Sequence, residues 1–217
     1  MKRPRSKDFD LRCAAVRYLL DVGVPREDIR HEWPLDSGSS GGRVDLAVTR
    51  DDRLIGMEIK SASDTVDRLR DQINAMQRAF DVVKVVADTR LEPKLSRGFG
   101  AAATTYYSHE TRSFVHLYRG DWLPIDDARL AAVDVWGCSR RTTVSGMARL
   151  LWRDEARRVA QELGCMVDTR EKAVDWLREN ARLRDLRPLI IRTMRARSLN
   201  RWEEAFWRDF EAAEAAP

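Results

Sequence analysis

The feature that most constrains the fold is a pair of alternating segments between residues 43 and 60, with the sequence RVDLAVTRDDRLIGMEIK. Apolar residues occupy every second position over 44–48 and again over 55–59, and four charged or polar residues separate the two segments. Alternation with a period of two is typical of half-buried strands, and two such segments around a short polar loop predict a β-hairpin.

The register of this hairpin brings two carboxylates together. A symmetric hairpin pairs Asp45 with Glu58 and Ala47 with Gly56. Side chains directly opposite each other lie roughly 5 Å apart, and like charges there are destabilising. A cation would relieve the repulsion, and oxygen ligands suit Mg²⁺ or Mn²⁺. The hairpin therefore predicts a metal site held by Asp45 and Glu58, and the small Ala47/Gly56 pair beside it leaves room for a substrate.

A simpler interpretation of the same carboxylates stays open. An aspartate and a glutamate in a hairpin are often a solvated strand face that carries surface ion pairs. In that case Asp45 pairs with a neighbouring arginine and Glu58 with Lys60.

The order of Asp45, Glu58 and Lys60 resembles the signature of the PD-(D/E)XK nuclease superfamily, with Val44 where the proline of that family is often lost. The following residues, SASDTVDRLRDQ, are similar to a small bacterial branch in which E-I-K-S precedes an Asp-Thr helix start and an R-L-x-x-Q turn. The strong part of the resemblance covers about residues 27–88, and a weaker part reaches LLWRDEA further along the chain.

The resemblance implies a Mg²⁺-dependent, endonuclease-like phosphodiesterase whose substrate is expected to be DNA. Asp45 and Glu58 would hold Mg²⁺ or Mn²⁺, with the Ile59 carbonyl and water completing the shell. Lys60 would position the attacking water, help to deprotonate it or neutralise the transition state, and the sequence does not choose between these roles. The alternative is a non-catalytic nucleic-acid-binding or regulatory protein on the same fold.

Two further residues follow from the resemblance. The superfamily often adds an acidic residue from before the hairpin, and Glu32 is the first candidate, with Asp10 as the alternative. Gln72 lies on the helix that faces the site in this superfamily, where it would contact a metal-bound water or a phosphate. A solvated helix edge is an equally simple role for Gln72.

Hydrophobic periodicity predicts an α/β fold with the order αβββαβ, which is the restriction-endonuclease-like core, and with a mixed sheet flanked by helices. The nuclease-like domain is assigned to residues 1–125 and an α-helical C-terminal region to residues 138–217. The predicted helices include residues 64–81 and 143–163.

In the C-terminal region, Arg149, Arg153 and Arg157 follow one another at intervals of four on the predicted helix. Such a stripe can bind a phosphate backbone. The alternative is a solvated helical face whose charge is balanced by nearby acidic residues. The tryptophans of this region are expected to be core or interface anchors rather than surfaces for base stacking.

Composition excludes several other classes of protein. No apolar run approaches the length of a membrane span, the N-terminus lacks the apolar part of a signal peptide, and the three cysteines show no C-x-x-C spacing. The scattered histidines show no zinc spacing, and no glycine-rich segment ends as a phosphate loop does. We therefore expect a cytoplasmic protein without membrane contacts, whose partner is nucleic acid; a homodimer stays open.

Overall fold

The computed structural model describes residues 8–35, 42–99, 105–108, 113–118, 121–124 and 142–215. The described strands form one sheet, in which their spatial order follows the chain. They are β1 (Ile29–Leu35), β2 (Gly42–Arg50), β3 (Arg53–Lys60), β4 (Val82–Asp88), β5 (Thr105–Ser108), β6 (Ser113–Tyr118) and β7 (Asp121–Pro124). The described helices are α1 (Phe9–Asp21), α2 (Leu69–Ala79), α3 (Glu92–Phe99), α4 (Val144–Ala148), α5 (Arg153–Glu162), α6 (Arg170–Asn180), α7 (Leu183–Ala196) and α8 (Arg201–Glu214).

The sheet is mixed. Strands β1, β2 and β3 are antiparallel neighbours, β3, β4 and β5 run parallel, and β5, β6 and β7 are again antiparallel. The chain therefore begins with the order α1-β1-β2-β3-α2-β4, with α2 connecting the parallel strands β3 and β4. The predicted α/β class and the predicted order of these elements are confirmed.

Helices cover both faces of the sheet. One hydrophobic cluster packs α1 and α8 against one face of the sheet. A larger cluster packs α2, α4, α5, α6 and α7 against the opposite face. The C-terminal helices thus contribute to both clusters. The predicted domain boundary between residues 125 and 138 lies outside the described residues and stays a prediction. No helix in the described ranges has the length and apolar character needed to cross a membrane.

Helix α2 begins later than its sequence pattern predicts. Leu69, Ile73 and Met76 form its buried stripe, as expected. The predicted start near Asp64 is wrong because the Asp64 carboxylate accepts hydrogen bonds from the backbone N–H of Ser61 at 2.6 Å and from its hydroxyl at 2.9 Å. These local bonds stabilise a turn instead of a first helical turn.

The predicted helix over residues 143–163 is also wrong, because the structure divides it into α4 and α5. The Glu155 carboxylate accepts the N–H of Trp152 at 2.7 Å, which caps a new helix at that point. Arg149 directly follows α4 and Arg153 begins α5, so the arginines of the predicted stripe do not share one helix.

Two glycines lie where the helices approach closely. A Cβ atom on Gly146 of α4 would lie 2.1 Å from the carbonyl oxygen of Arg78 at the end of α2. A Cβ atom on Gly56 of β3 would lie 2.8 Å from the ring of Phe80 and 3.0 Å from Met76. The expectation that Gly56 leaves room for a substrate is therefore wrong, because these two side chains fill the space.

Hydrogen bonds from Arg30 connect strand β1 to the C-terminal end of α7. Arg30, which is almost fully buried, donates a 2.8 Å hydrogen bond to the carbonyl of Met194 and another to the carbonyl of Arg197. The last carbonyls of a helix have no partner within the helix, and a cation there also interacts favourably with the helix dipole. Arg30 therefore fixes the C-terminal helices to the edge of the sheet.

Candidate functional site

Strands β1 and β2 change the face that they present to each core. In a regular strand, residues separated by an even number of positions point to the same face. On β1, however, Ile29 packs in the cluster with α1 and α8, whereas Trp33, four residues later, packs in the cluster with α2. On β2, Val44 and Leu46 differ in the same way. The cause on β1 is Glu32, whose φ of 51° is left-handed. Such a backbone costs on the order of 1–3 kcal/mol in a residue other than glycine and is concentrated at functional sites.

The hairpin has the predicted register. Ala47 pairs with Gly56, and the ladder of β2 and β3 ends at the pair of Leu46 and Met57. Beyond it, the Asp45 side chain reaches across to β3, where its Oδ2 accepts the backbone N–H of Ile59 at 2.7 Å. This bond fixes the Asp45 carboxylate at the point where the strands change face.

Arg12 of α1 lies among the carboxylates. Its Nη2 is 3.0 Å from Asp45 Oδ1, 2.9 Å from Glu32 Oε1 and 2.7 Å from Asp8 Oδ2, and its side chain is only 9% exposed. Its Nη1 also donates to the carbonyl of Asp45 at 3.2 Å. Sequence reasoning missed this residue, for which the local signal is the spacing of four between Asp8 and Arg12.

Glu58 is 2% exposed and binds two partners through one oxygen. Its Oε1 accepts hydrogen bonds from Lys60 Nζ at 2.7 Å and from Gln72 Nε2 at 2.6 Å. Lys60 also donates to Gln72 Oε1 at 3.1 Å, which closes a triangle of side chains. Within the described residues, the second oxygen of Glu58, Oε2, has no hydrogen-bond partner. A buried carboxylate oxygen without a donor is costly unless a cation approaches it.

Burial and neighbouring carboxylate charges raise the pKa of both Asp45 and Glu58. Burial and then the charge of Glu58 raise the pKa of Asp45 to about 7, against the opposing effects of Arg12 and the Ile59 N–H. Burial also raises the pKa of Glu58, against Lys60 and Gln72, and the charge of Glu32 adds to the increase. We call Glu32, Asp45 and Glu58 the carboxylate cluster; its electrostatics favour a further positive charge.

The structure brings together the residues predicted for the active site. Lys60 and Gln72 contact Glu58 directly, and Glu32 shares Arg12 with Asp45. The carboxylate that reaches Arg12 from the start of α1 belongs to Asp8, which directly precedes the helix, whereas Asp10, the alternative to Glu32, is exposed. Ile59 contributes its N–H, and the role of its carbonyl as a metal ligand stays a prediction.

The described residues contain no group of three or more histidine, cysteine, aspartate or glutamate side chains with the arrangement of a metal site. The pairing follows the simpler interpretation of the sequence, because Asp45 pairs with an arginine and Glu58 with Lys60. The setting is nevertheless not a solvated strand face, since Glu58 is buried. The unpartnered Oε2 of Glu58 and the raised pKa of Asp45 fit a divalent cation.

The arginines of the predicted stripe have different surroundings. Arg157 donates to the carbonyl of Val167 at 3.1 Å and lies 3.5 Å from Asp154, as a helix-surface side chain would. Arg149 and Arg153 line a cavity with two other arginines. The phosphate-binding role of the three residues stays a prediction.

His31 has a packing role. Its ring lies 4.0 Å from that of Phe206 and 5.5 Å from that of Trp207, measured between centroids. Burial, with the charges of Arg12 and Arg30, lowers the pKa of His31 to about 3, so the ring is neutral at physiological pH. The ring is buried, and within the described residues neither of its nitrogens has a hydrogen-bond partner.

Comparison with known proteins gives one partial match. Residues 9–97 match the model of the family described as Bacteriophage P4 protein cII. The matched segment is less than half of the chain, runs from α1 into α3, and contains the whole carboxylate cluster with Arg12, Lys60 and Gln72. No curated protein and no solved structure matches the chain significantly.

Proposed function

We propose that this protein is a metal-dependent nuclease that hydrolyses phosphodiester bonds, with DNA as the expected substrate. The observation that carries the proposal is the buried carboxylate of Glu58, which has one oxygen on Lys60 and Gln72 and the other without a donor among the described residues. Asp45 lies close enough to Glu58 for the charge of Glu58 to raise the pKa of Asp45.

The arrangement of the chain supports membership in the PD-(D/E)XK superfamily. The order α1-β1-β2-β3-α2-β4 is the order that the resemblance implies, and the motif residues Asp45, Glu58 and Lys60 lie on the adjacent strands β2 and β3. Gln72 on α2 reaches the same carboxylate as Lys60, which agrees with a helix that faces the site.

Asp45 and Glu58 are the residues that would hold Mg²⁺ or Mn²⁺, with Glu32 as a third carboxylate nearby. Such an ion, when bound, activates a water molecule and neutralises charge at phosphorus. The unpartnered Oε2 of Glu58 is the atom best placed to bind it, because its other oxygen already accepts two hydrogen bonds.

Lys60 would act on the phosphate. An ammonium group has three N–H donors, and two of them are directed to Glu58 Oε1 and Gln72 Oε1. The third can donate to a phosphate oxygen while the other two hold the nitrogen in place. Gln72 is a positioning residue in this scheme, because its amide bonds both Glu58 and Lys60.

A second candidate function has its own supporting observation. Arg12 and Lys60 together give each residue of the carboxylate cluster a positive partner. A cluster neutralised in this way can persist without a metal, as a non-catalytic nucleic-acid-binding or regulatory protein would require.

Cleavage assays separate the two functions. The purified chain is incubated with single-stranded and duplex DNA and RNA, in Mg²⁺, Mn²⁺ or EDTA. The nuclease proposal expects metal-dependent cleavage that Lys60→Ala abolishes and that Lys172→Ala, at an exposed lysine of α6, leaves unchanged. Binding in EDTA without cleavage in either metal would favour the second function.

A further inference from the structure

A basic cavity includes Arg43 of β2, two residues before Asp45 in the same strand. It has a volume of about 450 Å³ and lies where the ends of β1 and β2 meet the junction of α4 with α5 and the start of α6. Its described walls include Trp152 and four arginines, namely Arg43, Arg149, Arg153 and Arg170, and no acidic side chain. We call it the arginine pocket.

Two of these arginines are available for a ligand. Arg43 and Arg153 are exposed, and neither forms an ion pair within the described parts of the chain. Arg170 has a different role, because it donates to the carbonyls of Leu151 at 2.9 Å and Arg149 at 2.8 Å and so fixes the pocket wall. Guanidinium groups bind phosphate oxygens well because their planar donors match the geometry of the anion.

Trp152 gives the pocket an aromatic surface. It is 49% exposed, which is unusual for so large an apolar side chain. The guanidinium carbon of Arg197 lies 3.9 Å from its ring centroid and 3.7 Å from that of Trp33, so Arg197 is stacked on both rings. Arg197 is itself held by the buried Glu155. Trp152 is thus fixed against Arg197, while about half of its side chain stays exposed and it lines the pocket.

We propose that the arginine pocket binds one unpaired nucleotide of a nucleic-acid strand, with its phosphate on Arg43 and Arg153 and its base stacked on Trp152. This inference rests on the proposed function, which supplies nucleic acid as the ligand. It adds that the bound nucleotide is unpaired. The volume is within the range of small-molecule sites, roughly 300–1,000 Å³, and suits one nucleotide. A base inside a duplex is already stacked and cannot lie on the tryptophan.

The position of the pocket connects it with the chemistry. Arg43 and Asp45 are two residues apart on β2, and strands rise roughly 3.3 Å per residue. A nucleic-acid strand that is bound at Arg43 would therefore pass next to the carboxylate cluster. The bound nucleotide would be a neighbour of the phosphate that is cleaved.

Binding is measured in EDTA by fluorescence anisotropy, with labelled single-stranded DNA, single-stranded RNA and duplex DNA of one sequence. Trp152→Leu should weaken single-strand binding roughly fivefold or more, which is the usual effect of losing one stacked base, and leave duplex binding unchanged. Arg43→Gln with Arg153→Gln should make the slope of log affinity against log salt less steep by about 0.7 on single strands, the contribution of one phosphate contact. Trp152→Phe keeps an aromatic ring and should keep most of the affinity.

The matched controls lie on α8, on the other side of the sheet. Arg201→Gln with Arg208→Gln removes the same charge, and Trp202→Leu removes another half-exposed tryptophan. Equal effects of control and pocket variants, or equal losses on duplex and single strand, would overturn the pocket proposal even if cleavage persists. If the pocket variants lower binding but no metal-dependent cleavage occurs, the pocket proposal stands and the nuclease proposal is rejected.

Discussion

Replacing Glu58 with glutamine removes a charge from the carboxylate cluster without changing the size of the side chain. In the unchanged protein, Glu58 Oε1 accepts hydrogen bonds from Lys60 at 2.7 Å and Gln72 at 2.6 Å. The glutamine carbonyl can accept the same bonds. Its NH₂ group takes the place of Oε2, which has no partner among the described residues, and carries no charge.

The direction of the stability change follows from the raised pKa of Glu58. A carboxyl group with a higher pKa in the folded state than in the unfolded state binds more protons when folded, so its ionisation destabilises the fold as pH rises above the unfolded value. Each pKa unit corresponds to about 1.4 kcal/mol. A chain of this size gains roughly 2–4 °C in Tm per kcal/mol. We therefore expect Glu58→Gln to raise the Tm at pH 8 in EDTA.

Thermal melts with and without Mg²⁺, run beside the cleavage assay, test this reasoning. The unchanged protein should be stabilised by Mg²⁺, whereas Glu58→Gln should not respond to the ion and should lose cleavage. Its DNA affinity in EDTA should be nearly unchanged. Glu204→Gln, at an exposed position of α8, is the control. A Tm that falls by several degrees in EDTA would refute the argument, because the charge of Glu58 would then stabilise the fold through Lys60.

Three other perturbations test the surroundings of Glu58. Arg12→Gln removes the cation shared by Asp8, Glu32 and Asp45, and breaking a buried pair costs about 3–5 kcal/mol. Thermal melts at pH 8 should show this loss of stability and its partial recovery in Mg²⁺. A stability that does not recover in Mg²⁺ would contradict a cation site. The pKa of Asp45 is raised to about 7, and a fifth of its side chain reaches solvent. The free energy of unfolding of the metal-free protein should therefore fall by about 2 kcal/mol between pH 4 and pH 7, and that of Asp45→Asn should not. Parallel curves of unfolding free energy against pH, measured in urea, would disprove this. Gly146→Ala should cost about 1–3 kcal/mol in urea unfolding, because its Cβ would overlap the carbonyl of Arg78; an unchanged midpoint would place α4 farther from α2.

The hairpin was predictable because its signals are local. Alternating apolar residues define the inward faces of β2 and β3, and the short polar loop between them leaves little freedom in the register. The same logic fails at the start of α2, because the side chain of Asp64 can satisfy either a helix start or a turn, and here it bonds Ser61. It fails again at Gly56, where a small residue serves the packing of Phe80 from a distant part of the chain.

The candidate site was predictable only in part, for a related reason. Asp45, Glu58 and Lys60 lie on one hairpin, so their proximity follows from its register. Arg12 reaches Asp45 from a helix 33 residues earlier, and no periodicity reports such a contact. The arginine pocket has the same character, since β1 and β2 meet the α4–α5 junction and the start of α6 there, more than 100 residues later in the chain.

The change of strand face at Glu32 has a mechanical consequence. Helices on opposite faces of a sheet are normally insulated from each other by the strands between them. Here Arg12 reaches Asp45 from α1, while Gln72 reaches Glu58 from α2, and the charge of Glu58 acts on Asp45. A shift of either helical layer against the sheet would alter contacts on both carboxylates, so the site is sensitive to the spacing of the whole three-layer stack.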